Sequence, residues 1–134
     1  MNILNANITK ITKSDSFVLL ELVCEKSIFT SLVLESLESD DYALGENVNI
    51  LFKETEVMIA TPESKVSARN SFISPILDIQ TGVLLCNVAF SFGSLCIHAI
   101  ITKNALEDLE CKKGEHFRWF VKSNEVSIQK IQEA

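Results

Sequence analysis

Residues 45–60 read GENVNILFKETEVMIA, and residues 114–129 read GEHFRWFVKSNEVSIQ. The leading glycines stand 114 − 45 = 69 positions apart, and the same offset joins Lys53 to Lys122, Glu56 to Glu125, Val57 to Val126 and Ile59 to Ile128. Upstream the correspondence continues with small shifts. ITKI (8–11) answers ILDI (76–79), VLLELV (18–23) answers LLCNVA (84–89), and SLVL (31–34) answers AIIT (99–102). Self-similarity at a fixed spacing marks a duplicated unit. The shifts fall where turns are expected, so the chain reads as one small fold written twice.

Each copy reads as short strands. Apolar residues alternate in Val48/Ile50/Phe52, Phe117/Trp119/Val121 and Leu95/Ile97/Ala99/Ile101, the period of a strand with one buried face. SFGS (91–94) predicts a hairpin turn around Gly93. One short helix is expected in each half. In the second it is NALEDLE, where Asn104 and Glu107 have capping-box spacing. About five strands and one short helix per half is the content of an OB-like barrel. The expectation is therefore all-β: two tandem five-stranded OB-like barrels, each with one short helix, over residues 1–62 and 66–134. Pro62 and the polar run TPESK mark the linker. A lone barrel of this size buries only about 60% of its chain surface, so the halves should pack together or oligomerise.

Composition excludes several classes. With 134 residues, 47% hydrophobic and 22% charged, the chain should be globular. A net charge of −6 argues against a general nucleic-acid or polybasic membrane-surface binder, which needs a basic face. It leaves room for a local anion site built from amides and one or two cations. No apolar run approaches the roughly 20 residues of a membrane span, and the start MNILNANITK lacks a secretion signal. The cytoplasm is the expected location. Cys24, Cys86, Cys96 and Cys111 form no CxxC pair and should be reduced, buried thiols. Cys96, His98, Cys111 and His116 lack the paired spacing of a zinc site. A Cys96–His98 dyad would lie on a strand face expected to be buried, so no enzyme activity is expected.

Three segments of the second half carry a resemblance to a known family. Ser67-Ala68-Arg69-Asn70 precedes the opening strand and is followed by Ile76, Ile79, Gly82 and Val83. AIITKNALEDLECKKGE (99–115) and the closing VKSNEVSI (121–128) follow in order, and NILFKETEVMIA in the first half is similar to the same ending. In these the chain resembles the Mop/TOBE domains, specifically the duplicated di-Mop molbindins, over nearly its whole length.

The resemblance implies a cytoplasmic protein that binds molybdate or tungstate at interfaces between barrels, for storage or homeostasis. It implies a homo-oligomer, a trimer by family, with no organic cofactor, nucleic acid or membrane. It carries the oxyanion-binding role onto Ser67, Arg69, Thr102, Asn104, Ala105, Lys122, Ser123 and Lys53. Arg69 would bring a permanent charge with several donors. Thr102 would mark a strand-to-helix junction whose amides, at Asn104 and Ala105, face the anion. Lys122 and Ser123 would add a cation and a hydroxyl. Ala105 stands where family members often have serine. The first half opens with NILNAN in place of the quartet, has Leu34 against Thr102, and follows Lys53 with Glu54. The second half should therefore bind better. Taken singly, Ser67 and Arg69 read as a turn and a surface ion pair, Thr102 and Asn104 as helix caps, and Lys122 as an edge-strand cation. Two rival functions remain: a regulatory or assembly TOBE module acting through a partner protein, and an OB-type nucleic-acid binder.

Overall fold

The structure is a computed structural model that describes residues 1–34 and 42–131. Its elements are β1 (Asn2–Ser14), β2 (Phe17–Cys24), β3 (Ser27–Leu34), β4 (Asn47–Phe52), β5 (Met58–Ala60), β6 (Asn70–Thr81), β7 (Leu85–Phe92), β8 (Leu95–Thr102), α1 (Lys103–Leu109), β9 (His116–Val121) and β10 (Ser127–Lys130). They form two five-stranded antiparallel sheets, ordered β10-β4-β1-β2-β3 and β5-β9-β6-β7-β8. The fold class is the expected one, two OB-like units. The helix expected after Leu34 in the first half lies outside the described residues.

The curl of each sheet comes from its long first strand. Strand β1 pairs with β4 along residues 2–7 and with β2 along residues 7–14, with a register shift between Ile8 and Lys10. Strand β6 shifts register at the equivalent place, between Ile76 and Asp78. An extra residue there bends the strand and lets it serve two sides of a barrel. The glycines that open the repeat lock onto these bends. Gly45 donates its N–H to Ile8 (2.7 Å) and Gly114 to Ile76 (2.8 Å). Both sit at positive φ, +84° and +89°, where a side chain is strained.

The closing strands are exchanged. Strand β5, from the first repeat, pairs with β9, and β10, from the second, pairs with β4. The repeat restarts after residues 61–65, yet each sheet draws its fifth strand from across that point. The crossings are the recurring K-x-x-E-V segments. At each, a 3-10 turn (Glu54–Glu56, Ser123–Glu125) is closed by an N–H donated to the lysine carbonyl at 3.0 Å, and Val57 or Val126 is buried just beyond it.

One apolar core spans both sheets. Val48, Ile50 and Phe52 point into it, as do Phe117, Trp119 and Val121. At its centre Phe29, Phe52, Phe72, Phe92 and Trp119 meet with ring centroids 4.9–6.3 Å apart. Such aromatic pairs stabilise beyond their area burial, by about 0.5–1.5 kcal/mol each. Trp119 donates its buried Nε1–H to Ser74 Oγ at 3.0 Å, so its one polar atom is satisfied.

Two asparagines clasp the repeats. Asn70, fully buried, accepts the Thr30 N–H (2.7 Å) and donates to the Thr30 carbonyl (2.9 Å). Asn2 does the same to His98, at 2.9 Å for both bonds. The hairpin tips also meet. The expected turn at Gly93 is present, and the Glu25 carboxylate accepts the Ser94 N–H (2.7 Å) and hydroxyl, which hold its pKa below the usual carboxylate value.

Removing either clasp strands a part-buried backbone N–H and C=O. Asn70→Ala and Asn2→Ala should each lower unfolding free energy by about 1–3 kcal/mol. Urea denaturation measures this; a change within experimental error for both would remove the clasp as the link between repeats.

Candidate oxyanion site

The turn at Val66–Arg69 separates two cavities. Ser67, exposed, faces one of about 470 Å³ together with Lys122, Val66, Ala68, Met58, Phe120, Val121 and the carboxylates Glu56 and Glu125. Lys122 arrives because it starts the second crossing, directly after β9. Ser67 and Lys122 are thus brought together as expected, but with two carboxylates on the same wall.

Arg69 lies on the other side. It lines a cavity of about 440 Å³ with Ser64, Lys65, Ser71 and Arg118. Its one protein hydrogen bond among the described residues is a long one, from Nη2 to the Val66 carbonyl at 3.5 Å. Arg118 was not singled out in the sequence. Its side chain is partly buried, and register on β9 places it opposite Ile73 and Ala60. The available signal was scarcity: the chain has two arginines, and both line this cavity.

The helix end is elsewhere. Thr102 and Asn104 line a third cavity, of about 700 Å³, with Val83, Leu84, Leu85, Lys103 and Glu107. The helix starts at Lys103 with Thr102 as N-cap, so Asn104 lies inside it and does not open a capping box. Thr102 Oγ1 accepts the Ala105 N–H at 3.1 Å. Within the single chain that amide is committed to the cap.

Ser123 is also committed. Its hydroxyl bonds that of Thr30, which in turn reaches Asn70 Oδ1 at 3.4 Å. Lys53, exposed, begins the first crossing. The neighbouring Glu54 is held below the usual carboxylate pKa chiefly by its hydrogen bond from the amino group of Met1. Of the eight expected residues, one chain brings only Ser67 and Lys122 to a common wall, and Thr102 and Asn104 to another.

No family model and no curated protein matches this chain. Among solved structures, the cytoplasmic molybdate-binding protein ModG, crystallised with molybdate bound, matches with a TM-score of 0.91 at 21% identity, over 97% of this chain and 96% of that one. The fold is shared. MopII from Clostridium pasteurianum, in an apo form, matches with a TM-score of 0.42 at 30% identity, over 44% of this chain and 90% of its own. At these values the likeness to ModG speaks for architecture alone.

The face shared by Cys96 and His98 is the outer one, not the buried one expected. Ile97 and Ala99 take the inward positions of β8, so their neighbours point out. Cys96 Sγ lies 3.6 Å from His98 Nε2. Among the described residues no three His, Cys, Asp or Glu side chains gather as a metal site. Cys24, Cys86 and Cys111 are buried, and burial pushes the thiols of Cys24 and Cys111 up to about 11. At pH 8 a water-soluble disulfide reagent should therefore titrate one thiol in the folded protein and four in denaturant. A Cys96→Ser variant should then show none when folded; labelling of a second thiol would contradict the burial.

Proposed function

We propose that this protein binds molybdate or tungstate reversibly in the cytoplasm, as a store or buffer of the anion, without making or breaking a bond. The observation that carries the reading is the convergence of Ser67 and Lys122, distant in sequence, on one cavity. The resemblance independently carries an oxyanion role onto both. The fold shared with ModG supports the same reading at the level of architecture.

The wall around Ser67 also explains why one chain is not enough. Lys122 faces Glu56 and Glu125, so the titratable charge there sums to −1. A dianion needs cations and amides from elsewhere. Arg69, Thr102 and Asn104 are exposed on neighbouring surfaces. A second copy that presents such groups to the Ser67 wall completes the site, which fits a homo-oligomer, a trimer by resemblance, with anions held between barrels. Occupied sites at such interfaces stabilise the assembly by mass action.

The two repeats are unequal in this reading. Lys122 has the Val66–Arg69 turn beside it, whereas Lys53 is followed by Glu54 and the first half has no such quartet. Calorimetric titration of anion-stripped protein should show saturable binding of molybdate and tungstate, with sulfate as control. Arg69→Ala and Lys122→Ala should each weaken it about tenfold or more, the loss of a charge-assisted contact. Lys53→Ala should cost less. No heat with either metal oxyanion refutes the function, and equal losses for the two lysines refute the asymmetry.

A further inference from the structure

The cavity that holds both arginines has a chemistry of its own. Its titratable lining is Lys65, Arg69 and Arg118, three cations, and no carboxylate. Ser64 and Ser71 supply hydroxyls. None of the three cations forms an ion pair with a carboxylate among the described residues. In a chain of net charge −6 this is a concentrated, uncompensated positive wall.

Arg118 is held in place. Its Nε and Nη2 donate to the Pro62 carbonyl at 3.2 and 2.7 Å, and Nη1 donates to Ser71 Oγ at 2.9 Å. A guanidinium has five N–H donors in a rigid fork. These bonds use three, so one N–H on each terminal nitrogen has no protein partner among the described residues. A partly buried, oriented guanidinium without a counter-charge is favoured by an anion that supplies one.

We propose that Lys65, Arg69 and Arg118 form a second anion site, complete within one chain, for a condensed phosphate of the pyrophosphate class. Charge selects that class, and the cavity admits it. One phosphate group brings about −1.5 to −2 charges, so three cations are matched by two phosphoryl groups. A cavity of about 440 Å³ falls in the range of small-molecule sites. The site occurs once per chain. By the repeat offsets Arg118 corresponds to Asn49 and Arg69 to Met1, so the pseudo-equivalent end has neither guanidinium. The proposal shares Arg69 with the molybdate reading and is separated from it by Lys65 and Arg118, which that reading does not use.

Pyrophosphate is titrated into the full-length protein, with thermal unfolding as a parallel readout. Lys65→Gln tests the site without touching a structural bond, and Arg118→Gln tests the oriented donor. Lys13→Gln, an exposed lysine on β1, controls for net charge. The expected result is saturable binding that raises the melting temperature and weakens about tenfold in Lys65→Gln and in Arg118→Gln, but not in Lys13→Gln. Pyrophosphate that does not bind the unaltered protein overturns the site. So does binding that survives both pocket substitutions, or that Lys13→Gln weakens equally. Molybdate titration of Lys122→Ala reads the other cavity, so failure of one reading is separate from failure of the other.

Discussion

Strands β5 and β10 hydrogen-bond to the sheet begun by the opposite repeat, and the rest of the molecule depends on that exchange. A single repeat would leave β4 or β9 without its outer neighbour and would bury too little surface to stand alone. The crossings solve both problems. They carry the chain from one sheet to the other through a 3-10 turn and anchor it with a buried valine. Between the sheets this leaves one shared core, with five aromatic rings from both repeats at its centre. Cooperative unfolding of the whole chain follows, because neither half has a complete sheet or a core of its own.

The crossings also place the candidate chemistry. Each begins with a lysine in extended backbone at the rim of a sheet, and at the second crossing that rim faces the Val66–Arg69 turn. The duplication has kept what the fold requires and lost what it does not. The asparagine clasps, the strand bends at Ile8 and Ile76, the positive-φ glycines and the buried valines occur in both repeats. The guanidiniums, the Val66–Arg69 turn and the Thr102 cap occur in the second alone. Among the described residues the strand architecture repeats, and both guanidiniums belong to the second repeat.

Much of this was legible because strands write their buried face into every second residue. The alternations at Val48, Ile50 and Phe52 and at Phe117, Trp119 and Val121 gave the core directly, and Gly93 gave a hairpin. Period two names a face but not a neighbour, so the exchange of β5 and β10 was invisible. The same limit hides how the quartet divides. Asn70 is the most buried of its four residues and serves the fold, while Ser67 and Arg69 part to opposite cavities. Thr102 was legible both as ligand and as cap, and within the single chain its hydroxyl caps the helix through the Ala105 N–H. Arg118 carried no local pattern, since an outward position on a strand looks like any surface site until the turn across from it is known.

Net charge is a poor guide to where an anion binds in such a molecule. At physiological ionic strength the Debye length is about 8 Å, so the acidic surface at a distance is largely screened and the lining of each cavity decides. On that scale the two sides of one short turn differ in sign: −1 beside Ser67 and +3 beside Arg69. Under the proposed function an anion at the first would have to be recruited by groups from another surface, which would tie its binding to assembly. An anion at the second meets a preformed wall with Arg118 already oriented by Pro62 and Ser71. The carboxylates near Lys122 then have a physical role. Under the proposed function they would keep the single chain from trapping a dianion tightly, so that occupancy would follow the joining of copies and reverse when they part.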